Sequence, residues 1–191
     1  MKKTNKGVVK RAIVTPDKHF PLHDQKAINV VCKAIKIVKP DIYIDLGDTG
    51  EWDLFSNHHW RKYDKPPDDL LIPMLDKSVK QVNKGMDQID KFLEKVKCKE
   101  RYFMQGNHEE WLDTYAKKYS RPRFLTQNAL RLKERGYEFH PYGRKIPLKI
   151  GKLNFKHGHR TGMHHAKAHL AMYGESVMYG HTHDLQRHTH T

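Results

Sequence analysis

The stretch that most constrains this chain is Gly106-Asn107-His108-Glu109, which stands directly after the apolar run Tyr102-Phe103-Met104. The apolar run predicts a buried strand, and an Asn beside a His at its end is poor material for a core. Each of these side chains would cost roughly 2–7 kcal/mol if it were buried without a hydrogen-bond partner. Solvent or a ligand must therefore meet them at this position.

Four further polar clusters stand in the same position, each after a predicted strand. The strands cover residues 12–14, 41–46, 153–155 and 176–179. The clusters that follow them are Asp17-Lys18-His19, Gly47-Asp48, His157-Gly158-His159 and Gly180-His181-Thr182-His183. In open α/β sheets, ligands bind beyond the carboxyl ends of the strands, so we expect all five clusters to meet in space.

The order of the predicted elements indicates the α/β class. After the first strand, Asp24 can cap a helix whose apolar residues keep helical spacing until Pro40 ends it. A strand follows at once, and strand–helix–strand order favours a right-handed parallel crossover. We also expect a hairpin around Gly151 and helices over residues 126–135 and 164–173. The length of 191 residues predicts one domain over 1–191.

Residues 51–97 form a predicted insertion within that domain, made of a loop and a long amphipathic helix. The loop at 52–63 interleaves aromatic and basic residues, which could stack on nucleic-acid bases or fold back onto the domain. The helix has a heptad-like apolar seam from Leu75 to Val96. We expect this seam to pack in the core, and packing against a second chain is the alternative.

The net charge of +14 predicts attraction to polyanions, of which nucleic acid is the commonest, while a solvated basic surface is the alternative. No apolar run is long enough to span a membrane, and the basic start lacks the apolar core of a secretory signal. We therefore expect no membrane partner. We interpret Cys32 and Cys98 as small core residues of a protein in a reducing compartment, which predicts a cytoplasmic location.

Seven side chains of the clusters can bind divalent ions through imidazole nitrogens and carboxylate or amide oxygens. They are Asp17, His19, Asp48, Asn107, His157, His181 and His183. The mixture suits Mn²⁺, Fe²⁺, Zn²⁺ or Ni²⁺, and we favour Mn²⁺. Seven ligands are too many for one tetrahedral ion and suit two, with Asp48 as the natural bridge because a short carboxylate can hold two ions together.

The ordered motifs D-x-H, GD, GNHE, HGH and GHTH resemble those of the calcineurin-like metallophosphoesterases, and the resemblance extends from Val14 to His183. It implies two mixed β-sheets packed as a four-layer sandwich flanked by helices. It also implies one ion held by Asp17, His19 and His183. A second ion would be held by Asn107, His157 and His181, with Asp48 bridging both.

The resemblance further implies hydrolysis of a phosphate ester by a metal-activated water. His108 would lie off the metals and stabilise the transition state or protonate the leaving oxygen, so we count it with Asp48 as catalytic. Glu109 and Asp45 are candidates to orient a ligand imidazole, and for Asp45 the alternative is a strand residue that faces solvent. His159 and Arg160 could bind a substrate phosphate.

Members of the family usually continue past the last motif, whereas only residues 184–191 follow it here. The chain could therefore be a C-terminally truncated fragment, a pared-down fold, or one with an edge strand that a second copy covers in an oligomer. The basic charge and the aromatic loop favour a phosphodiesterase, with nucleic acid or nucleotides as candidate substrates and nuclease activity as one form. The alternatives are a phosphomonoesterase acting on phosphoprotein or nucleotide, and a nucleic-acid-binding module with structural metals.

Overall fold

The computed structural model describes residues 9–56, 64–143 and 147–189. The strands in this part of the chain are β1 (Ala12–Thr15), β2 (Ile42–Asp45), β3 (Glu100–Met104), β4 (Tyr137–His140), β5 (Leu148–Ile150), β6 (Leu153–Phe155) and β7 (Val177–Met178). The helices are α1 (Gln25–Val38), α2 (Asp68–Lys95), α3 (Asn107–Lys118), α4 (Thr126–Ala129) and α5 (His165–Tyr173). The chain is therefore α/β, as the sequence predicts.

The strands form two sheets. The first has the order β1-β2-β3-β4, and every neighbouring pair is parallel. The second has the order β5-β6-β7, with β5 antiparallel and β7 parallel to β6. The expectation of two mixed sheets is thus wrong for the first sheet and right for the second. Helical crossovers join β1 to β2 and β2 to β3, which is the kind of connection that parallel neighbours need.

Side chains of β2 alternate between two hydrophobic clusters. Tyr43 belongs to the main core, which lies among the first sheet, α1, α2 and α3. Ile42 and Ile44 belong to a smaller cluster that also contains Phe155 of β6, so this cluster takes side chains from both sheets. Both faces of β2 are therefore buried, which is typical of a central parallel strand.

The first helix forms as the sequence predicts. The side chain of Asp24 accepts hydrogen bonds from the backbone N–H groups of Lys26 and Ala27, which satisfies donors that have no partner inside the helix. The helix ends at Lys39, whose left-handed backbone precedes Pro40. Its buried stripe of Ile28, Cys32 and Ile35 packs in the main core.

The long helix α2 packs its apolar seam into the main core, as expected. Leu75, Val82, Met86, Ile89 and Leu93 are all buried there. Of the aromatic loop at 52–63, Trp52 and Phe55 are also buried in this core, which favours the folded-back alternative for these two. Residues 57–63 lie outside the described ranges, so the base-stacking interpretation stays a prediction.

The helix expected over residues 126–135 is wrong, because α4 ends at Ala129. Arg131 has a left-handed backbone, and the chain continues in turns into β4, a strand that the sequence analysis missed. The Arg135 side chain explains the break. It donates to the Leu130 carbonyl at 2.9 Å and pairs with Asp87 and Asp90 of α2, so side-chain bonds replace helical ones.

Both cysteines are buried and carry free thiols, which confirms their interpretation as core residues. None of the helices in the described ranges is both long enough and apolar enough to cross a membrane.

The burial of α2 predicts that truncation of two leucines in this helix will change the free energy of unfolding by very different amounts. Leu93 is completely buried, so Leu93→Ala should lower the free energy of unfolding by about 2–5 kcal/mol through lost burial and a cavity. Leu70 is 57% exposed, so Leu70→Ala should change it by about 0.5 kcal/mol or less. Chemical denaturation of both variants tests this. Equal losses would contradict the packing of α2.

Candidate metal centre

The topology brings the five polar clusters to one place. Asp17 and Asp48 follow β1 and β2, and Asn107 begins α3 after β3, so all three lie at the carboxyl edge of the parallel sheet. The second sheet supplies His157 after β6, and His181 with His183 after β7. The backbone N–H of His181 donates to the Asp17 carboxylate at 2.9 Å, which joins the end of the last motif to the first.

One group of potential ligands contains Asp17, His19 and His183. One nitrogen or oxygen atom of each lies within 4.8 Å of the others. The Nε2 atoms of His19 and His183 are 3.0 Å apart. This arrangement could hold a metal ion.

A second group contains Asp48, His157 and His181, and its ligand atoms also lie within 4.8 Å of one another. His157 Nε2 lies 3.2 Å from Asp48 Oδ2, 3.3 Å from His181 Nδ1 and 3.1 Å from the Asn107 side-chain oxygen. One imidazole nitrogen cannot serve three such partners with a single proton. A cation among these atoms would satisfy them, so the donor set fits a divalent ion.

The tautomer of His157 also suits a metal ligand. Its Nδ1 donates to the Leu46 carbonyl at 2.7 Å, so Nε2 is the nitrogen directed at the group around Asp48 and would bind an ion after losing any proton it shares with that carboxylate. Such a bond from the second nitrogen to a backbone carbonyl is the usual way in which proteins orient a ligand histidine.

Asp48 lies between the two groups. Its Oδ2 is 3.2 Å from His157 and 4.0 Å from His19 Nε2, and its Oδ1 accepts from the His108 backbone N–H at 3.0 Å. Burial opposes ionisation of this carboxylate, but hydrogen bonding to His157 and the nearby His157 and His108 rings keep the pKa of Asp48 below its usual value. The buried position therefore holds a charged carboxylate at neutral pH.

Backbone strain concentrates at the same residues. Among the described non-glycine residues with positive φ, five are predicted ligands, namely Asp17, His19, Asp48, His181 and His183. A left-handed backbone costs roughly 1–2 kcal/mol for a residue with a Cβ atom. Such strain persists where the surrounding structure over-determines it, and it clusters at functional sites.

Two glycines allow the loops after β2 and β3 to touch. Gly47 has φ of +95°, and a Cβ atom there would lie 2.5 Å from the backbone nitrogen of Gly106. A Cβ atom on Gly106 would in turn overlap the Asp48 carboxylate. Glycine is required at both positions because the Asp48 loop packs directly on the backbone that leads into α3.

Glu109 supports this loop through its backbone. The fully buried carboxylate accepts from four N–H groups at 2.8–3.0 Å, those of Asp48, Thr49, Gly50 and Gly106. Burial, followed by the nearby Asp48 charge, raises the pKa of Glu109. The contacts thus differ from the expectation that Glu109 orients a ligand imidazole, because its oxygens are used by backbone donors.

Asp45 also stabilises the loop after β2 through hydrogen bonds. It is 1% exposed, which contradicts the solvent-facing alternative, and its Oδ1 pairs with the buried Lys18 Nζ at 2.7 Å. The same oxygen accepts from Gly47 N–H at 3.1 Å and from the Thr49 hydroxyl at 2.8 Å. Its described bonds go to these three groups and not to an imidazole. Because Lys18 stands between Asp17 and His19, the ion pair links the first ligand loop to the second.

Glu51 is a residue that the sequence analysis missed. Its two oxygens lie 2.9 Å from His19 Nδ1 and 3.1 Å from His108 Nδ1. Burial opposes its ionisation, but the bonds to His108 and His19 hold the pKa of Glu51 far below its usual value. The available sequence signal for Glu51 was an acidic residue three positions after Asp48. Its role is apparent only from the fold, which places it beside His19 and His108.

His108 belongs to neither of the two groups described above, but its ring forms further potential metal-binding groups with His19 and Asp48 and with Glu51 and Asp53. Its ring makes an edge contact with His19 at 4.7 Å between centroids and touches Trp111 at 4.3 Å. Burial lowers the pKa of His108, but the Glu51 carboxylate 3.1 Å from its Nδ1 and the nearby Asp48 charge outweigh burial and raise that pKa. The ring is therefore more readily protonated than a free histidine.

The structure places the two predicted substrate-binding residues away from the cavity lining. His159 is half-buried, and its backbone N–H donates to His169 Nε2 at 3.3 Å, while Arg160 is exposed. Burial lowers the pKa of His169 to about 4, so this residue is a neutral acceptor that stabilises the loop after His157. A role of His159 and Arg160 in substrate binding stays a prediction.

The predicted ligands other than His157 line an open cavity of about 530 Å³. Its other lining residues are Lys18, Leu22, His23, Asp24, Glu51, Asp53 and His108. Such a cavity could admit a phosphate ester to the side of the site that carries His108.

Comparison with models of known protein families, with curated proteins and with solved structures finds no match to this chain.

The buried ion pair predicts a large loss of stability when one partner is removed. Lys18→Met should lower the free energy of unfolding by about 3–5 kcal/mol because Asp45 is left buried without its cation. Lys18→Met combined with Asp45→Asn should recover part of that loss. The matched control is Lys149→Met, whose half-exposed pair with Glu175 should contribute about 1 kcal/mol or less. Non-additivity below about 0.5 kcal/mol would contradict the coupling.

The shared position of Asp48 predicts the metal stoichiometry. Protein reconstituted with Mn²⁺ should retain two ions per chain, and Asp48→Asn should retain one or none because Asp48 contacts both ligand groups. Asp41→Asn, at the amino end of β2, should retain both ions. Elemental analysis after dialysis measures this. If Asp48→Asn retains two ions, Asp48 is not a ligand that the two ions share.

Proposed function

We propose that this protein is a dinuclear-metal-dependent phosphoesterase that acts on phosphodiesters. The observation that carries the proposal is the convergence of two ligand groups on the buried Asp48 carboxylate, with His108 beside them. The motif resemblance to calcineurin-like metallophosphoesterases supports it. The cluster that contains side chains of both sheets supports the sandwich arrangement that this resemblance implies.

The two ions would be held by the groups already described. One would bind Asp17, His19 and His183, the other would bind Asn107, His157 and His181, and Asp48 would contact both. Nitrogen and oxygen ligands without a thiol favour Mn²⁺, with Fe²⁺, Zn²⁺ and Ni²⁺ as alternatives. Such ions, when bound, activate a water for in-line attack and neutralise charge on the phosphate oxygens.

His108 supplies the proton for the leaving oxygen in this proposal. Glu51 binds its Nδ1, so Nε2 is the nitrogen left to donate from the cavity lining. The raised pKa of His108 increases the protonated fraction near neutral pH. Glu51 also binds His19, so one carboxylate orients both the proton donor and a predicted metal ligand.

Charges in the cavity favour a diester over a monoester. Apart from the ligands, the lining includes the carboxylates of Asp24, Glu51 and Asp53. Lys18 is the one lysine or arginine among the described lining residues, and its charge is paired with Asp45. The ions would offset the ligand carboxylates, and the three carboxylates of Asp24, Glu51 and Asp53 would still repel a singly charged diester less than a doubly charged monoester.

The direct test compares bis-p-nitrophenyl phosphate with p-nitrophenyl phosphate, using metal-stripped protein to which Mn²⁺ is returned. We expect faster hydrolysis of the diester and loss of activity in Asp48→Ala. Faster hydrolysis of the monoester would replace the proposal with a phosphomonoesterase. If metal binds but neither ester turns over, the metals are structural and the enzyme proposal fails.

The role of His108 predicts a separable effect on turnover. His108→Ala should lower kcat by about 10²–10⁴-fold while two ions per chain are retained, because the lost group is a proton donor and not a ligand. Glu51→Gln should change kcat in the same direction. His164→Ala is the matched control, since this exposed histidine lies outside the cavity lining and should leave kcat unchanged. Loss of metal in His108→Ala would contradict this role.

A further inference from the structure

The helix that carries His108 also leads to a basic and aromatic surface. α3 begins at Asn107 and ends at Lys118, so its 12 residues extend about 18 Å from the metal centre. The chain then continues through Tyr119 and Arg121, which lie at the far end of the helix.

One face of α3 connects these two places. His108, Trp111, Tyr115 and Lys118 follow spacings of three and four residues, which places them along a single face. Trp111 is half-buried and contacts the His108 ring, and Tyr115 contacts the Tyr119 ring at 5.0 Å between centroids. Tyr115 is 6% exposed and belongs to the main core, against which Trp111 also packs, so these ring contacts connect the site to Tyr119 through packed side chains and not along an open groove.

The far end presents an exposed aromatic ring among cations. Tyr119 is 46% exposed, and Lys118 Nζ lies 5.3 Å from the centre of its ring. The Arg121 guanidinium lies 5.8 Å from the same ring and is fixed by Asp68 at 2.5 Å and by the Tyr115 hydroxyl at 3.0 Å. The ring of Tyr119 is thus positioned beside a guanidinium that is itself immobilised.

Lys117 and Lys118 form no salt bridge among the described residues, although the Lys117 charge acts on Glu110, where burial raises the pKa of the carboxyl group and this charge partly offsets the rise. Both are exposed, and no carboxylate among the described residues lies within 4.0 Å of either ammonium group. Cations beside an exposed aromatic ring are the combination that binds single-stranded nucleic acid, since lysines attract the phosphates and the ring stacks on an unpaired base.

We propose that the α3 surface, defined as Trp111, Lys117, Lys118, Tyr119 and Arg121, binds a single strand of nucleic acid and leads its phosphodiester to the metal centre. This inference rests on the proposed function, because it names the substrate class of the same site. The exposed ring favours an unpaired strand over a duplex, whose bases are already stacked on one another.

The test measures binding of a fluorescent oligodeoxythymidylate of about 12 nucleotides to metal-stripped protein by anisotropy over a range of salt. Lys117→Gln with Lys118→Gln should weaken binding about tenfold and reduce the salt slope by about 1.4, or about 0.7 per cation. Tyr119→Ala should weaken binding at least about fivefold.

The matched control is Lys91→Gln with Lys99→Gln, which removes the same charge from exposed positions in α2 and just before β3. It should leave binding close to that of the unaltered protein. Equal weakening by both double variants would overturn the inference and indicate non-specific attraction. Equal competition by an acidic peptide of the same charge would also overturn it, because the surface would then bind anions in general.

Failure of this inference is distinguishable from failure of the proposed function. Hydrolysis of bis-p-nitrophenyl phosphate by the unaltered protein decides the proposed function without any nucleic acid. The binding measurement uses no metal, so it decides the α3 surface even if that hydrolysis is absent. Circular dichroism of each variant establishes that it is folded.

Discussion

The buried carboxylate of Glu109 determines where the Asp48 carboxylate lies. Its bonds to the backbone of Asp48, Thr49 and Gly50 fix the loop after β2, and its bond to Gly106 fixes the entry into α3. Buried amides without partners would each cost about 1–3 kcal/mol, so one side chain satisfies a loop that otherwise could not be buried. Every contact of Asp48 with His157 and His19 depends on this loop.

The five predicted ligands with a left-handed backbone require support from the rest of the fold. Five left-handed residues at roughly 1–2 kcal/mol each represent a cost that is comparable to the whole stability of an ordinary domain. The backbone bonds from Asp17 N–H to the Gly47 carbonyl and from His19 N–H to the Asp48 carbonyl stabilise two of them. The remaining cost must be offset by core packing, so mutations far from the centre should also affect metal binding.

Local patterns in the sequence were sufficient to predict α1, the packing of α2 and the polar cluster after each strand. They failed where contacts between residues that are distant in the sequence determine the local structure. Arg135 ends a helical pattern because it finds two aspartates of α2, and Glu51 acquires partners only when β2 is placed beside α3. Similarly, the pattern marked Glu109 as important, but whether it binds an imidazole or backbone amides depends on how two loops meet.

The helix dipole accounts for part of the arrangement on α3. Glu109 and Glu110 lie in its first turn and Lys117 and Lys118 in its last, which is the distribution that the dipole favours. The dipole therefore accounts for the position of both lysines. The Tyr119 ring is 46% exposed while it contacts Tyr115, Lys118 and Arg121, an arrangement on which the dipole has no bearing. The tyrosine, more than the charge, distinguishes a surface for unpaired bases from an ordinary helix end.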